Sequence, residues 1–172
     1  ILFTLFVENV SLMSQFYVIN WFARNKNVLK DTDQQVKYTR NEENIHGLVG
    51  TKIINVIKEE YPELVDQELI DRILDEAQEA YKSEAKIVDW MVNGIQEEGL
   101  SAPVLKEFIK GRINESLTGI GFPIAFEIDD ELLKKTMWFN EELLGNNMTD
   151  FFHSRPVEYS KKSQSFSEDD LF

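Results

Sequence analysis

From Ile1 to Asn25 the chain has neither glycine nor proline, and the apolar side chains of Phe3, Phe6, Leu12, Phe16, Ile19 and Phe22 spread over every face of a helix. Such a helix must be enclosed by others. Glu8 nevertheless sits in its middle, with Leu5, Leu12 and Phe16 on the same face. An isolated ionised carboxylate there is very unfavourable, so it has to be neutral, paired or bound to a metal ion. A membrane span needs about 20 uninterrupted apolar residues, and Glu8, Asn9, Ser11, Ser14, Gln15 and Asn20 interrupt this stretch. The basic lead and small-residue cleavage site of a secretory signal do not flank it either. Because the apolar run starts at Ile1, the chain reads as beginning inside a core helix, as a fragment does.

The remainder is helical in pattern. Asn25 to Lys30 is a polar connection, and Thr32-Asp-Gln-Gln35 has the spacing of a capping box that opens a second helix ending near Glu60, before Tyr61-Pro62. A third helix is predicted from Asp66 to Gln96 and stopped by Gly99. A fourth starts at Ser101-Ala-Pro103, carries Leu105, Phe108, Ile109, Ile113 and Leu117, and is broken by Gly119, Gly121 and Pro123. A shorter one covers about Asp130 to Leu144. No strand pattern or internal repeat stands out, so the class is all-α. Ser160 to Phe172 lacks periodicity and reads as a flexible tail.

Charge and cysteine usage exclude several functions. The net charge is −13, and between Ile57 and Glu98 stand 13 acids against 4 bases, the pattern of a solvated outer face. Tracking a nucleic-acid backbone needs clustered Lys and Arg, so nucleic acid is not expected as a partner. Without cysteine there is no disulfide framework, thiolate metal site or cysteine nucleophile, which fits a cytoplasmic protein. Phosphate-cradling glycine loops, Gly-x-Ser-x-Gly elbows and His-Glu-x-x-His helices are also missing.

Only His46 and His153 remain as imidazoles, and His153 falls outside any strong helical pattern. His46 follows Glu43 by three residues, which puts carboxylate and imidazole on one helical face within reach of one metal ion. Gly47 and Gly50 share that face, each costing ~1 kcal/mol in a helix interior relative to alanine. That cost suggests close approach of another helix or a crowded site. Dinuclear carboxylate bundles take one Glu from each of two helices and a Glu-x-x-His from each of two others. Glu8, Glu43 and His46 make half of such a set.

The segment Val7-Glu-Asn-Val-Ser-Leu-Met-Ser-Gln-Phe-Tyr17, with Phe22-Ala-Arg-Asn25 and Arg40-Asn-Glu-Glu-Asn-Ile-His46, resembles two ligand-bearing helices of the class I ribonucleotide reductase small subunit. Asp150-Phe-Phe-His-Ser-Arg-Pro-Val-Glu-Tyr159 and Ser165-Phe-Ser-Glu-Asp-Asp-Leu-Phe172 resemble that family's closing segment and acidic, Phe-ended tail. The resemblance implies a partial ferritin-like di-metal carboxylate bundle over residues 1–158 and a docking tail over 159–172. It implies a dinuclear centre of two iron ions, or manganese with iron, held on this half by Glu8, Glu43 and His46. It further implies that Tyr159 relays a radical to the large subunit, that Phe166, Leu171 and Phe172 anchor the tail there, and that the intact subunit is a homodimer. Leu12 and Phe16 match apolar positions near the family's radical site.

Two departures follow from the same comparison. The family's usual Asp, hydrogen-bonded to a ligand histidine, is here Glu42, one methylene longer, with a supporting role toward the metal expected of it. The family's other acid, second Glu-x-x-His, radical-bearing tyrosine and relay tryptophan precede the part matched by Ile1. Neither Tyr17 nor Tyr38 is assigned as radical carrier, and the chain by itself is expected to be inactive. Two other readings stay open: a different ferritin-like di-metal oxidase, and a helical interaction protein without metal.

Overall fold

The computed structural model describes residues 5–148, the side chains of 143–148 excepted. Helix α1 is already helical at Leu5 and Phe6, passes through a five-residue π-helical turn, Val7–Ser11, and continues as Leu12–Lys26. Its end is set by Asn27 and Leu29, both left-handed at φ 58° and 59°. That short connection folds α2, Lys30–Glu60, back against α1. A 3-10 turn at Pro62–Leu64 precedes α3, Gln67–Met91, and α4 covers Ala102–Gly119. Two short helices follow, α5 at Asp130–Lys134 and α6 at Met137–Met148. Among the described residues the one strand-like pairing is an isolated bridge, Glu97 with Leu100.

The core forms where α4 lies against α3 and the first half of α1. Leu105, Ile109, Ile113 and Leu117 of α4 are fully buried, as are Met13 and Tyr17 of α1 and Ala77 and Val88 of α3. The polar residues of α4 are tied down in turn. Asn114 Oδ1 accepts from the Ala125 and Phe126 amides while its Nδ2 donates to the Phe126 carbonyl, and Glu107 Oε2 accepts from the Asp129 amide. These bonds lay the segment 122–129 along α4 and pair backbone groups of Ala125, Phe126 and Asp129 without a sheet.

Four expectations need correction. The capping box at Thr32 does not form: the N-cap lies three residues earlier, at Leu29, and Asp33, inside the first turn, accepts from Asn20 Nδ2 of α1 at 2.7 Å. Helix α3 stops at Met91 rather than near Gln96: Gly94, left-handed at φ +76°, turns the chain away, and Gly99, also left-handed at φ +73°, falls in the connection that follows. The helix over 130–144 is two helices, separated where Thr136 turns its hydroxyl onto the Leu133 carbonyl at 2.7 Å. The acids between Ile57 and Glu98 are exposed except Glu84, which is buried and accepts from the Ser14 hydroxyl of α1.

Tyr17 closes the base of the bundle. Its hydroxyl donates to the Gly99 carbonyl at 2.6 Å and accepts from Trp138 Nε1 at 3.2 Å, and Trp21 Nε1 donates to the neighbouring Glu98 carbonyl. Burial pushes the phenol pKa up to about 12. A Tyr17→Phe change keeps the ring in its aromatic cluster but leaves a buried carbonyl without its donor. It is expected to destabilise the fold by about 1–3 kcal/mol, read as a lower urea midpoint at unchanged slope.

Candidate metal centre

Glu8 is the second residue of the π turn, in which the Leu12 amide reaches back to the Val7 carbonyl. One-turn π segments inside α-helices recur at functional sites. Arg112 holds this one from α4: its Nε donates to the Asn9 carbonyl at 2.7 Å, and its guanidinium is buried, with burial lowering its pKa. Glu115 supplies the counter-charge at 3.0 Å. No local sequence pattern marks Arg112, which acts only through this tertiary contact.

Opposite the turn, α2 brings up Glu43 and His46. His46 Nδ1 lies 3.1 Å from Glu43 Oε2 and 4.0 Å from Glu8 Oε1, and one donor atom from each of the three residues falls within 4.8 Å of the others. Among the described residues this is the one group of three or more such side chains. The two glutamates are mostly buried, and Glu8 Oε2 is a buried oxygen without any hydrogen-bond partner. An unmet oxygen beside a second carboxylate and an imidazole fits a divalent cation with mixed oxygen and nitrogen ligands. The half-set read from the sequence is thus assembled in space.

Gly47 makes the assembly possible. A Cβ there would stand 2.2 Å from Asn9 Oδ1, so α2 approaches the π turn at the position where it has no side chain. At Gly50 no atom lies within 4 Å of such a Cβ, and the close approach expected at both glycines occurs only at the first. Glu42 is exposed and makes no hydrogen bond among the described residues, though its charge helps raise the His46 pKa. Leu12 and Phe16 are half-buried. Tyr159, Phe166, Leu171 and Phe172 lie outside the described residues, as does His153.

The hydrogen bond to Glu43 raises the His46 pKa most; desolvation, the next largest effect, opposes it, and the charges of Glu8, Glu43 and Glu42 add to the rise. The imidazolium is therefore retained to higher pH than in an unfolded chain, and a metal must displace its proton. Metal affinity is accordingly expected to fall as pH drops through and below this raised value, with proton release on binding there. Isothermal titration in two buffers of different ionisation enthalpy measures both. A pH-independent affinity between pH 5.5 and 7.5 would exclude His46 as a ligand.

A helix bundle that brings Glu, and Glu-x-x-His from a second helix, to one point belongs to the class of ferritin-like carboxylate metalloproteins. Comparison with known proteins makes that more specific. The family model for the ribonucleotide reductase small chain matches residues 1–132, a stretch that includes Glu8, Glu43 and His46. The chain belongs to the ribonucleotide reductase small-chain family. Relatives include the ribonucleoside-diphosphate reductase subunit beta of Aquifex aeolicus, 32% identical over 123 residues, which are 70% of this chain and 17% of that protein. The subunit beta of Chlamydia pneumoniae is 27% identical over 154 residues, 89% of this chain and 42% of that protein. A probable small subunit from Invertebrate iridescent virus 3 is 23% identical over 163 residues, 94% of this chain and 42% of that protein. The chain spans less than half the length of each of these relatives. No helix among the described residues is long and apolar enough to cross a membrane.

Proposed function

We propose that this chain carries one half of the metal site of a ribonucleoside-diphosphate reductase small subunit, the oxidoreductase component that supplies a radical for reducing ribonucleotides to deoxyribonucleotides in DNA precursor synthesis. The observation that carries the reading is the convergence of Glu8, Glu43 and His46, in a family member, around a buried carboxylate oxygen that has no other partner. Glu8, Glu43 and His46 would hold the metal, two iron ions or a manganese–iron pair in the complete site. When bound, the centre supplies the oxidising equivalents that the subunit stores as a radical.

The residues around it have separate tasks. Glu43 orients the imidazole so that Nδ1 faces both carboxylates, and it holds the Nδ1 proton until a cation replaces it. Arg112 fixes the π turn and with it the Glu8 carboxylate. Val10 in the turn and Met13 just after it, both buried, keep water from its inner side. Glu42 is assigned an auxiliary role beside the ligands, Tyr159 the relay of the radical, and Phe166, Leu171 and Phe172 the docking on the large subunit. A cytoplasmic homodimer is the state expected of the intact subunit. Equilibrium dialysis of Fe²⁺ under argon, or of Mn²⁺ in air, tests the site directly. Binding that survives both Glu8→Gln and His46→Ala would remove it.

A further inference from the structure

We propose that the groove between the start of α1 and the middle of α3 binds a small amphiphilic cation, an ammonium group on an apolar body, with Glu84 as its counter-charge. The groove has a volume of about 460 Å³ and shares no residue with Glu8, Glu43 and His46. Phe6 and Val7 of α1 and Ile73 and Ala80 of α3 give it apolar walls, and Glu84 and Glu76 supply its charge. Small-molecule sites have this size and this make-up, mostly apolar surface with a few fixed polar groups.

Glu84 is the observation that points to a ligand. It is only 7% exposed, yet among the described residues it forms no ion pair. Its one hydrogen bond there, from the Ser14 hydroxyl to Oε2, is long at 3.4 Å. The same hydroxyl stands 3.0 Å from the Ser11 carbonyl, and with a single proton it cannot serve both oxygens fully. Lys82 of α3 and Lys106 of α4 are committed elsewhere, to Glu79 at 2.6 Å and to Asp89 at 2.8 Å. A buried carboxylate without a cation is costly, and a donor that carries positive charge relieves that cost more than a neutral one.

The rest of the groove narrows the ligand. A metal ion needs several oxygen donors converging on one point, whereas Glu84 is set among apolar walls. An acid is repelled by Glu76 and Glu84 and by the −13 of the whole chain. A small inorganic cation gains nothing from Phe6, Val7 and Ile73. A primary amine on a short alkyl or arylalkyl body meets both parts of the groove. Its three N–H donors reach Glu84, and its body covers the walls and removes their apolar surface from water.

Isothermal titration of the 172-residue chain with 4-phenylbutylamine tests this, with 4-phenylbutan-1-ol and 4-phenylbutyrate as neutral and anionic counterparts of the same body. The expected result is one amine per chain, bound about tenfold or more tighter than the alcohol, and no measurable binding of the acid. Glu84→Gln is expected to bring the amine down to the affinity of the alcohol and to leave the alcohol unchanged. Ala80→Phe, at a half-buried wall position, fills the groove and is expected to abolish binding of both, while circular dichroism reports unchanged helix in either variant. Equal binding of amine and alcohol to the unaltered chain would overturn the role of Glu84. Amine binding that survives both Glu84→Gln and Ala80→Phe would put the ligand elsewhere on the acidic surface and overturn the site, as would a chain that binds none of the three.

Discussion

Substituting Glu8 by glutamine is expected to have opposite effects with and without metal. In the metal-free protein it replaces a buried carboxylate, one of whose oxygens has no partner, by a neutral group of the same shape. Stability is then unchanged or raised, because a like charge beside Glu43 is removed and the oxygen replaced makes no hydrogen bond. In the presence of Fe²⁺ or Mn²⁺ the same change removes a ligand. Outer partners of metal ligands already contribute 10–100-fold to affinity, so loss of the ligand should cost more than about 100-fold. The metal-induced rise in melting temperature, which follows the ratio of metal to dissociation constant, should disappear. His46→Ala should lose affinity equally but leave the metal-free protein nearly unchanged, since the ring is largely exposed. Melting curves with and without metal separate these outcomes. A Glu8→Gln protein that is destabilised without metal and still stabilised by it would contradict both the assignment and its physical basis.

The second large effect concerns the end of the chain. Deleting residues 165–172 is expected to abolish binding to a ribonucleotide reductase large subunit, by two orders of magnitude or more, without altering helix content or metal affinity. On the docking proposed above, the deletion removes the apolar anchors Phe166, Leu171 and Phe172. Tyr159→Phe, made in the intact subunit with its complete metal site, is expected to bind the large subunit normally and to support no ribonucleotide reduction, because phenylalanine cannot take part in a tyrosyl relay. Surface plasmon resonance for binding and product formation by the reconstituted pair measure the two separately. If the truncated chain bound as well as the full one, the tail would have no part in docking.

What could be read from the sequence was governed by spacing along helices. Glu43 and His46 needed only the three-residue interval, and Glu8 only its apolar neighbours, so the three candidate donors were legible although they lie on different helices. Capping and termination were less so. Thr32 lost its place to Leu29, with Asp33 inside the first turn and bonded to α1, and Gly94 ended α3 before Gly99 could. Arg112, Glu84 and the partner of Gly47 were invisible for the same reason: each acts across helices, on Asn9, on Ser14 and on the π turn, through contacts that no periodicity encodes. The acidic stretch gave a correct surface apart from one residue, Glu84, whose burial depends on what α1 presents to it.

The π turn also fixes the phase of α1. A turn of that kind holds one residue more than an α-helical turn, so everything before it is rotated by about 100° relative to an uninterrupted helix. Below the turn, Tyr17 and Trp21 lock α1 to the Glu98–Gly99 corner, and their direction cannot change. The extra residue therefore acts as an angular offset that allows one continuous helix to serve two seams. Its lower part packs to the register of the aromatic base, while the π turn aims Glu8 at α2. Losing a single residue between Val7 and Ser11 would leave the base intact and swing the acid away from Glu43 and His46, which makes the length of that short segment as much a part of the candidate metal site as the side chains themselves.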